Sequence, residues 1–223
     1  DYDFLIVTRY LHRAASAVGM DDVAKRLGID HIDVEKLWWA LLPFAGKRIF
    51  WYDLKFGGRV IFGDEKVLRL IPIKSSKEID LQEGIGLMFN RLEGMLRRFD
   101  PEFLSTRPSK SEKERLVLEP IKGILACGDS LLVLRHMYHY SYQHRLSTLK
   151  AIHKDRDLSS VSPGLVDDFE KATCFKLSPH FDEYQDPLEL WFVARKHLLN
   201  TIVYYWQRYT RHRVENLADF PHI

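Results

Sequence analysis

The sequence predicts an α+β fold, in which a small mixed-sheet α/β domain at residues 1–76 precedes an all-α helical bundle at residues 77–223. Three observations support this prediction. Residues 3–8, DFLIVT, form an apolar, β-branched run with the length of one buried strand. Residues 47–64, KRIFWYDLKFGGRVIFGD, have the pattern of two strands joined by a turn at two glycines. Beyond about residue 79, apolar residues recur at helical spacing in one segment after another.

Composition narrows the classes of protein to consider. The chain has 223 residues, of which 46% are apolar, so it can bury a substantial core. Its 33 basic residues nearly balance 31 acidic ones, and overall charge therefore favours no polyanionic partner. Cys127 and Cys174 have neither disulfide-framework nor zinc-ligand spacing, which predicts a reducing, cytoplasmic location. No run approaches the ~20 apolar residues of a membrane span, so no membrane partner is expected.

Three helices are expected between the first strand and the strand pair. Residues 9–19 and 21–28 have helical spacing and end at glycines that suit helix C-termini. The third predicted helix, DVEKLWWALL, has Asp33 as its N-cap and ends before Pro43.

Three aspartates are the candidate site residues. Asp1 and Asp3 are two positions apart on the first predicted strand, so both side chains leave the same face, roughly 6–7 Å apart. Asp53 lies on a later predicted strand, in line with Ile49 and Trp51. Carboxylates this close repel each other unless a proton or a cation lies between them. Together they predict a site for two Mg²⁺ ions, which prefer oxygen ligands.

Other interpretations of these aspartates stay open. An Asp-x-Asp pair at a strand edge also fits a solvated turn or an N-terminal cap, and Asp53 alone fits the end of a strand. The combination with strand context on both sides favours the metal site. Because two carboxylates open the chain without an initiator Met, we expect the sequence to begin inside a domain.

The segments DYDFLIVT and FWYDLKFGGRVIFGD resemble the nucleotidyltransferase domain of the DNA polymerase beta superfamily. That family has an Asp-x-Asp pair on one strand and a third Asp on a later one. A strand of the form G-x-hydrophobic-hydrophobic-hydrophobic-G often follows, here GRVIFG. The resemblance implies that Asp1 and Asp3 bind both metals, and that Asp53 binds the catalytic metal and orients or deprotonates the acceptor hydroxyl. The family's Gly-Ser motif lies about ten residues before the pair, and it cannot be matched because the given sequence begins at Asp1.

The second half is expected to be helical throughout. Residues 80–99 carry an apolar stripe, and residues 100–113 form a Pro- and Ser-rich loop. Residues 118–149 resemble the helical domain that follows the catalytic domain in small superfamily members. Asp129 is expected to be a cap, a hydrogen-bonded core group or a cleft residue. The last helix begins at Asp186 and Pro187 and is rich in cations and aromatic residues. Such a helix can bind nucleic acid, but packing into the bundle is the favoured interpretation.

The expected function is transfer of a nucleoside monophosphate from a nucleoside triphosphate, ATP by resemblance, to an acceptor hydroxyl. No motif in the sequence indicates whether the acceptor is a small molecule, a protein or an RNA end. Two alternatives remain: a metal-dependent glycosyltransferase, whose carboxylate pair usually ends a strand rather than beginning one, and a non-catalytic regulatory or antitoxin-like module derived from this domain. No Ser-His-Asp or reactive-cysteine arrangement can be recognised in the sequence.

Overall fold

The computed structural model describes residues 2–9, 22, 25, 26, 28, 32–106, 108–154 and 156–211. Within these residues the protein is mostly helical with one small sheet, which agrees with the predicted α+β layout. The two strands are β1 (Tyr2–Thr8) and β2 (Ile32–Trp38). The α-helices are α1 (Ile49–Gly57), α2 (Gln82–Arg97), α3 (Lys110–Leu134), α4 (Tyr142–Ile152), the single turn α5 (Arg156–Ser159), α6 (Leu165–Leu177) and α7 (Pro187–Thr210).

The first strand was predicted correctly, and its partner was not. β1 pairs in parallel with β2, with Asp3 opposite Asp33 and Thr8 opposite Trp38. The third predicted helix is therefore wrong, because residues 32–38 are a strand and residues 39–44 a 3₁₀ helix. The backbone groups of this segment bond to β1 instead of to one another. That long-range pairing outweighs the helical spacing of its apolar residues.

The predicted strand pair at residues 47–64 is also wrong. Residues 49–57 form helix α1, and the backbone N–H of Gly58 closes it by donating to the carbonyls of Asp53 and Leu54. Tyr52 and Phe56, four positions apart, bring their ring centroids within 4.8 Å on one helix face. The apolar run of this segment is thus a helix packed on the core, and the two glycines end it rather than making a hairpin turn.

Helix α3 is the centre of the bundle, since α2, α4, α6 and α7 all pack against it. From Leu116 to Val133 all but two of its residues are buried, and the exceptions, Leu118 and Lys122, are half-buried. Small residues let neighbours approach closely. A methyl group added at Gly123 would lie 3.0 Å from the sulfur of Met95 and 3.1 Å from Leu198.

Local signals set the ends of the long helices. The carboxylate of Asp186 accepts from the backbone N–H groups of Leu188 and Glu189, at 3.0 Å each, so the predicted cap of α7 is confirmed. Ser109 and Glu112 form a capping box at the start of α3, inside the segment predicted to be a loop. Gly28, the predicted end of the second helix, has the left-handed φ of +65° that suits such an end.

The part of the chain before residue 77 and the helical part after it share one hydrophobic cluster. Buried side chains from the first part, including Leu42, Tyr52 and Ile71, belong to the same cluster as Phe169 and Tyr205 of the bundle. The domain boundary at residue 76 stays a prediction. In the described part of the chain, no helix combines the length and the apolar character needed to cross a bilayer.

Candidate functional site

The structure places two carboxylates side by side near the N-terminal ends of the two parallel strands. Asp3 of β1 and Asp33 of β2 are paired in register, and both side chains are exposed. Residues paired across neighbouring strands have side chains on the same face, and the strands lie ~4.8 Å apart. Two ionised carboxylates at this spacing repel each other, and a cation between them relieves that repulsion.

The carboxylate pair faces the same side of the sheet as residues that pack on the core. By strand alternation, Val7 shares a face with Asp3, and Leu37 shares one with Asp33. Both apolar residues pack against the hydrophobic cluster. The sheet is therefore anchored at one end of this face and presents acidic oxygens at the other.

Sequence reasoning missed Asp33 because it was interpreted as a helix N-cap. The signal that could have identified it is the alternation of HIDVEKL, in which β-branched Ile32 and Val34 flank the aspartate as they would in a strand. Asp1 lies outside the described residues. Among the residues that are described, no group of three acidic, His or Cys side chains could hold a metal ion. The metal site at Asp1, Asp3 and Asp53 thus stays a prediction.

Asp53 lies on helix α1 rather than on a strand, and the structure places it in a second polar cluster. Its Oδ2 accepts a hydrogen bond of 2.9 Å from the Tyr138 hydroxyl, 85 residues further along the chain. The Tyr138 oxygen in turn accepts from Arg145 at 3.2 Å. The same guanidinium pairs with Asp129 and lies 3.9 Å from the ring centroid of Tyr142. We call Asp53, Asp129, Tyr138 and Arg145 the polar cluster.

The polar cluster holds two carboxyl groups and one guanidinium in a buried setting. Asp129 is 7% exposed and Arg145 is 3% exposed. Burial raises the pKa of Asp53 to about 7 and the pKa of Asp129 to about 6, although Arg145 opposes both shifts. Three atoms, Oδ1 of each carboxyl and Nε of the guanidinium, are buried without a hydrogen-bond partner. A proton on one carboxyl would leave the cluster neutral.

Asp129 is therefore the hydrogen-bonded core group that the sequence allowed as one alternative. The polar cluster connects α1, α3, α4 and the loop before α4 through Tyr138. The neighbouring His139 ring stacks on Tyr140 at 4.3 Å between centroids and lies 4.1 Å from the His144 ring. These rings make a contact at the N-terminal end of α4.

A Ser-His-Asp chain that the sequence did not reveal lies elsewhere in the bundle. The Ser162 hydroxyl and Nδ1 of His197 are 2.7 Å apart, and Nε2 of His197 lies 3.0 Å from Asp168. Ser162 is 1% exposed and His197 is 2% exposed. A nucleophile must meet its substrate, so this buried chain fits a structural link between α6 and α7 rather than a hydrolase site.

Cations of helix α7 lie on aromatic rings of the same helix. The guanidinium of Arg195 is within 5.7 Å of the Trp191 ring centroid and 5.5 Å of that of Phe192. The guanidinium of Arg208 lies 5.4 Å from the ring centroid of Tyr204. Trp191 and Tyr205 are 4% and 0% exposed, which matches the favoured interpretation, in which the aromatic residues of α7 pack into the protein.

Comparisons with protein-family models, with curated proteins and with solved structures each find no match. The function is therefore argued from the residues and their geometry.

Proposed function

We propose that the chain is a metal-dependent nucleotidyltransferase whose divalent cations bind near the N-terminal ends of β1 and β2. The observation that supports it is the in-register pairing of Asp3 with Asp33, two exposed carboxylates on one face of a parallel strand pair. Strands hold such side chains at fixed spacing, which favours the defined oxygen geometry that Mg²⁺ requires.

The donor set of this proposal is Asp1, Asp3 and Asp33. Asp33 replaces Asp53 as the third carboxylate for two reasons. It is the residue paired with Asp3 in the sheet, whereas Asp53 lies on helix α1 in the polar cluster. A carboxyl whose pKa is raised to about 7 is also largely protonated below neutral pH, which weakens it as a cation ligand.

The chemistry is transfer of a nucleoside monophosphate from a nucleoside triphosphate, ATP by resemblance, to a hydroxyl. Mg²⁺ bound to the carboxylates would neutralise charge on the triphosphate and keep the attacking and leaving oxygens in line. The protein would hold the carboxylates in fixed positions, because the strands that carry them pack on the core through Val7 and Leu37.

The test incubates purified full-length protein with labelled ATP, Mg²⁺ and a cell extract, and then identifies what carries the label. Asp3→Asn and Asp33→Asn should each reduce labelling by about a hundredfold, because at metal sites even the loss of a residue that only supports a ligand costs about 10–100-fold. Asp182→Asn, which changes an exposed carboxylate of the helical part, is the matched control and should label like the wild type.

Asp53→Asn distinguishes the two candidates for the third carboxylate. If Asp33 is the ligand, this variant keeps most of its activity, whereas loss of labelling in Asp53→Asn with full activity in Asp33→Asn would restore the assignment made from sequence. Wild-type protein that transfers no label to any acceptor would contradict the enzyme proposal and favour the non-catalytic module.

A further inference from the structure

A surface cavity of about 550 Å³ lies where α2 ends and α3 begins. Three arginines, Arg97, Arg98 and Arg115, line it together with the rings of Phe99 and Phe103. This volume falls within the range of small-molecule sites, which combine apolar walls with a few directed polar groups.

The acidic residues that line the cavity are engaged with backbone groups. Asp100 accepts from the N–H of Glu102 at 2.9 Å, which caps the short helix that follows α2. Glu112 accepts from the backbone N–H and the hydroxyl of Ser109, at 2.8 Å and 2.5 Å, in the capping box of α3. Their negative charge is thus partly compensated by helix N-termini. The residues that line the cavity include three cations and two carboxylates.

The guanidinium groups retain donors for an incoming anion. Arg97 pairs with Glu93 one turn earlier on α2, and 76% of its side chain is exposed. Arg98 lies 3.6 Å from Glu119, which is longer than a hydrogen bond. The Arg97–Glu93 pair is exposed and therefore weak, so an anion can compete for it. Glu119 is buried and also pairs with Lys122 at 3.3 Å, so it does not depend on Arg98 alone. Each guanidinium has five N–H donors in a planar fork that matches the oxygens of a phosphate.

The aromatic wall of the cavity is fixed in place. The Phe99 ring packs on Trp191 at 4.5 Å between centroids, and the Trp191 indole N–H donates to the Met95 carbonyl at 3.3 Å. Phe103 is half-buried against the hydrophobic cluster. An apolar or planar group next to a bound phosphate would therefore contact ordered rings, which favours an organic phosphate over the inorganic ion.

We propose that this cavity binds a nucleoside monophosphate, with its phosphate on Arg97, Arg98 and Arg115 and its base and sugar against Phe99 and Phe103. The site is separate from the carboxylates of β1 and β2, none of which lines the cavity. Binding here does not require a divalent cation, and the proposal does not depend on the transferase proposal.

The experiment measures AMP binding to the full chain by titration calorimetry in the presence of EDTA. AMP should bind, and Arg97→Ala/Arg115→Ala should weaken its affinity by about tenfold or more, because charge-assisted hydrogen bonds are lost. The matched control is Arg59→Ala/Arg69→Ala, which removes two exposed arginines lining another cavity and should leave the affinity unchanged. Adenosine and inorganic phosphate should each bind about tenfold more weakly than AMP.

Several results would overturn the proposal: no AMP binding at millimolar concentration, equal weakening by both double variants, or adenosine binding as tightly as AMP. Inorganic phosphate binding as tightly as AMP would refute the role of the rings. If Arg97→Ala/Arg115→Ala melts early by circular dichroism, the single Arg115→Ala variant replaces it in the same comparison. Asp3→Asn should bind AMP like the wild type, so failure of the transferase proposal leaves this result interpretable.

Discussion

At the scale of single residues, the polar cluster shows how burial changes the chemistry of ordinary side chains. Asp53 and Asp129 are two carboxyl groups that share one nearby cation, the guanidinium of Arg145. Burial raises the pKa of both carboxyl groups. Desolvation is the largest cause in each case, and it exceeds the attraction of Arg145. Below about pH 7, the folded protein therefore prefers at least one of them protonated.

The pH dependence of stability follows from the sign of this shift. The pKa of Asp53 rises from an ordinary 3.8 to about 7 on folding, so the native state binds more protons than the unfolded state between these values. Stability then falls as pH rises from about 4 to about 7. Asp53→Asn removes this contribution, and denaturant unfolding should show a shallower decline, with a relative gain on the order of 2 kcal/mol at pH 8.

Asp182→Asn is the control for this measurement, since its carboxylate is exposed and the wild-type pH profile should be unchanged. The slope that remains in Asp53→Asn includes a fall with pH from Asp129, whose pKa is raised by burial, and a rise with pH from His139, whose pKa is lowered by burial. An Asp53→Asn profile that coincides with the wild type from pH 4 to pH 8 would show that Asp53 titrates normally.

Arg145 is the residue of the polar cluster whose loss should cost most. Arg145→Ala leaves Asp129 buried without its partner, and breaking a buried pair in this way costs about 3–5 kcal/mol. Chemical denaturation at pH 8, where the unpaired carboxyl is ionised in the unfolded chain, measures the loss. Adding Asp129→Leu to this variant should recover part of it, because the buried charge is then gone.

A matched surface variant sets the scale for that result. Lys150→Ala breaks an ion pair with Glu170 in which both side chains are more than 40% exposed, and it should cost less than about 1 kcal/mol. Equal effects of Arg145→Ala and Lys150→Ala would mean that the buried pair contributes no more than a surface pair.

At the scale of elements, the fit of α3 against its neighbours depends on small residues. A methyl group at Gly128 would lie 2.3 Å from ring carbons of Phe169 on α6 and 3.0 Å from Leu149 on α4. A buried ring cannot move aside freely, so Gly128→Ala should destabilise the protein by about 1–3 kcal/mol or more through overpacking. Thermal melts followed by circular dichroism would measure the change.

Gly86→Ala is the matched control, because this helical glycine of α2 has open space where the methyl group would lie. Alanine is the better helix former, so we expect Gly86→Ala to stabilise the protein by about 0.5–1 kcal/mol. If both substitutions shift the melting temperature alike, close packing at Gly128 is not what limits that position.

At the scale of the whole molecule, one hydrophobic cluster joins the first part of the chain to the bundle. Leu42 and Ile71 lie in the same cluster as Tyr205, and the Lys55 ammonium donates to the carbonyls of Ile71 and Ile73 at 2.7 Å and 2.8 Å. Elements that share a core lose their packing together, and cooperative unfolding is the expected consequence.

We therefore expect a single unfolding transition, with coincident melts by far-ultraviolet circular dichroism and by tryptophan fluorescence. The fluorescence reports on both parts, since Trp51 lies on α1 and Trp191 on α7. Phe99→Leu, which alters packing against Trp191 on α7, should lower the midpoint seen by both probes alike. Two separate transitions would support independent domains that meet near residue 76.

Much of the helical half follows from the sequence alone, because its signals are local. The apolar stripe of α2 includes Met88 and Met95, which are 0% and 1% exposed, and Asp186 with Pro187 sets the start of α7. The strand at residues 2–8 is equally plain from its β-branched run. Caps, turns and hydrophobic spacing act over a few residues, so a single sequence displays them.

The candidate site is what only the tertiary structure decided. The register between β1 and β2 places Asp3 beside Asp33, which is 30 positions later in the sequence. Asp53 instead accepts a hydrogen bond from Tyr138 in the polar cluster. Both placements depend on partners distant in the chain, whose pairing overrides local helix or strand preference. The sequence determined which residues carry charge and which are apolar, and long-range packing determined which carboxylates meet.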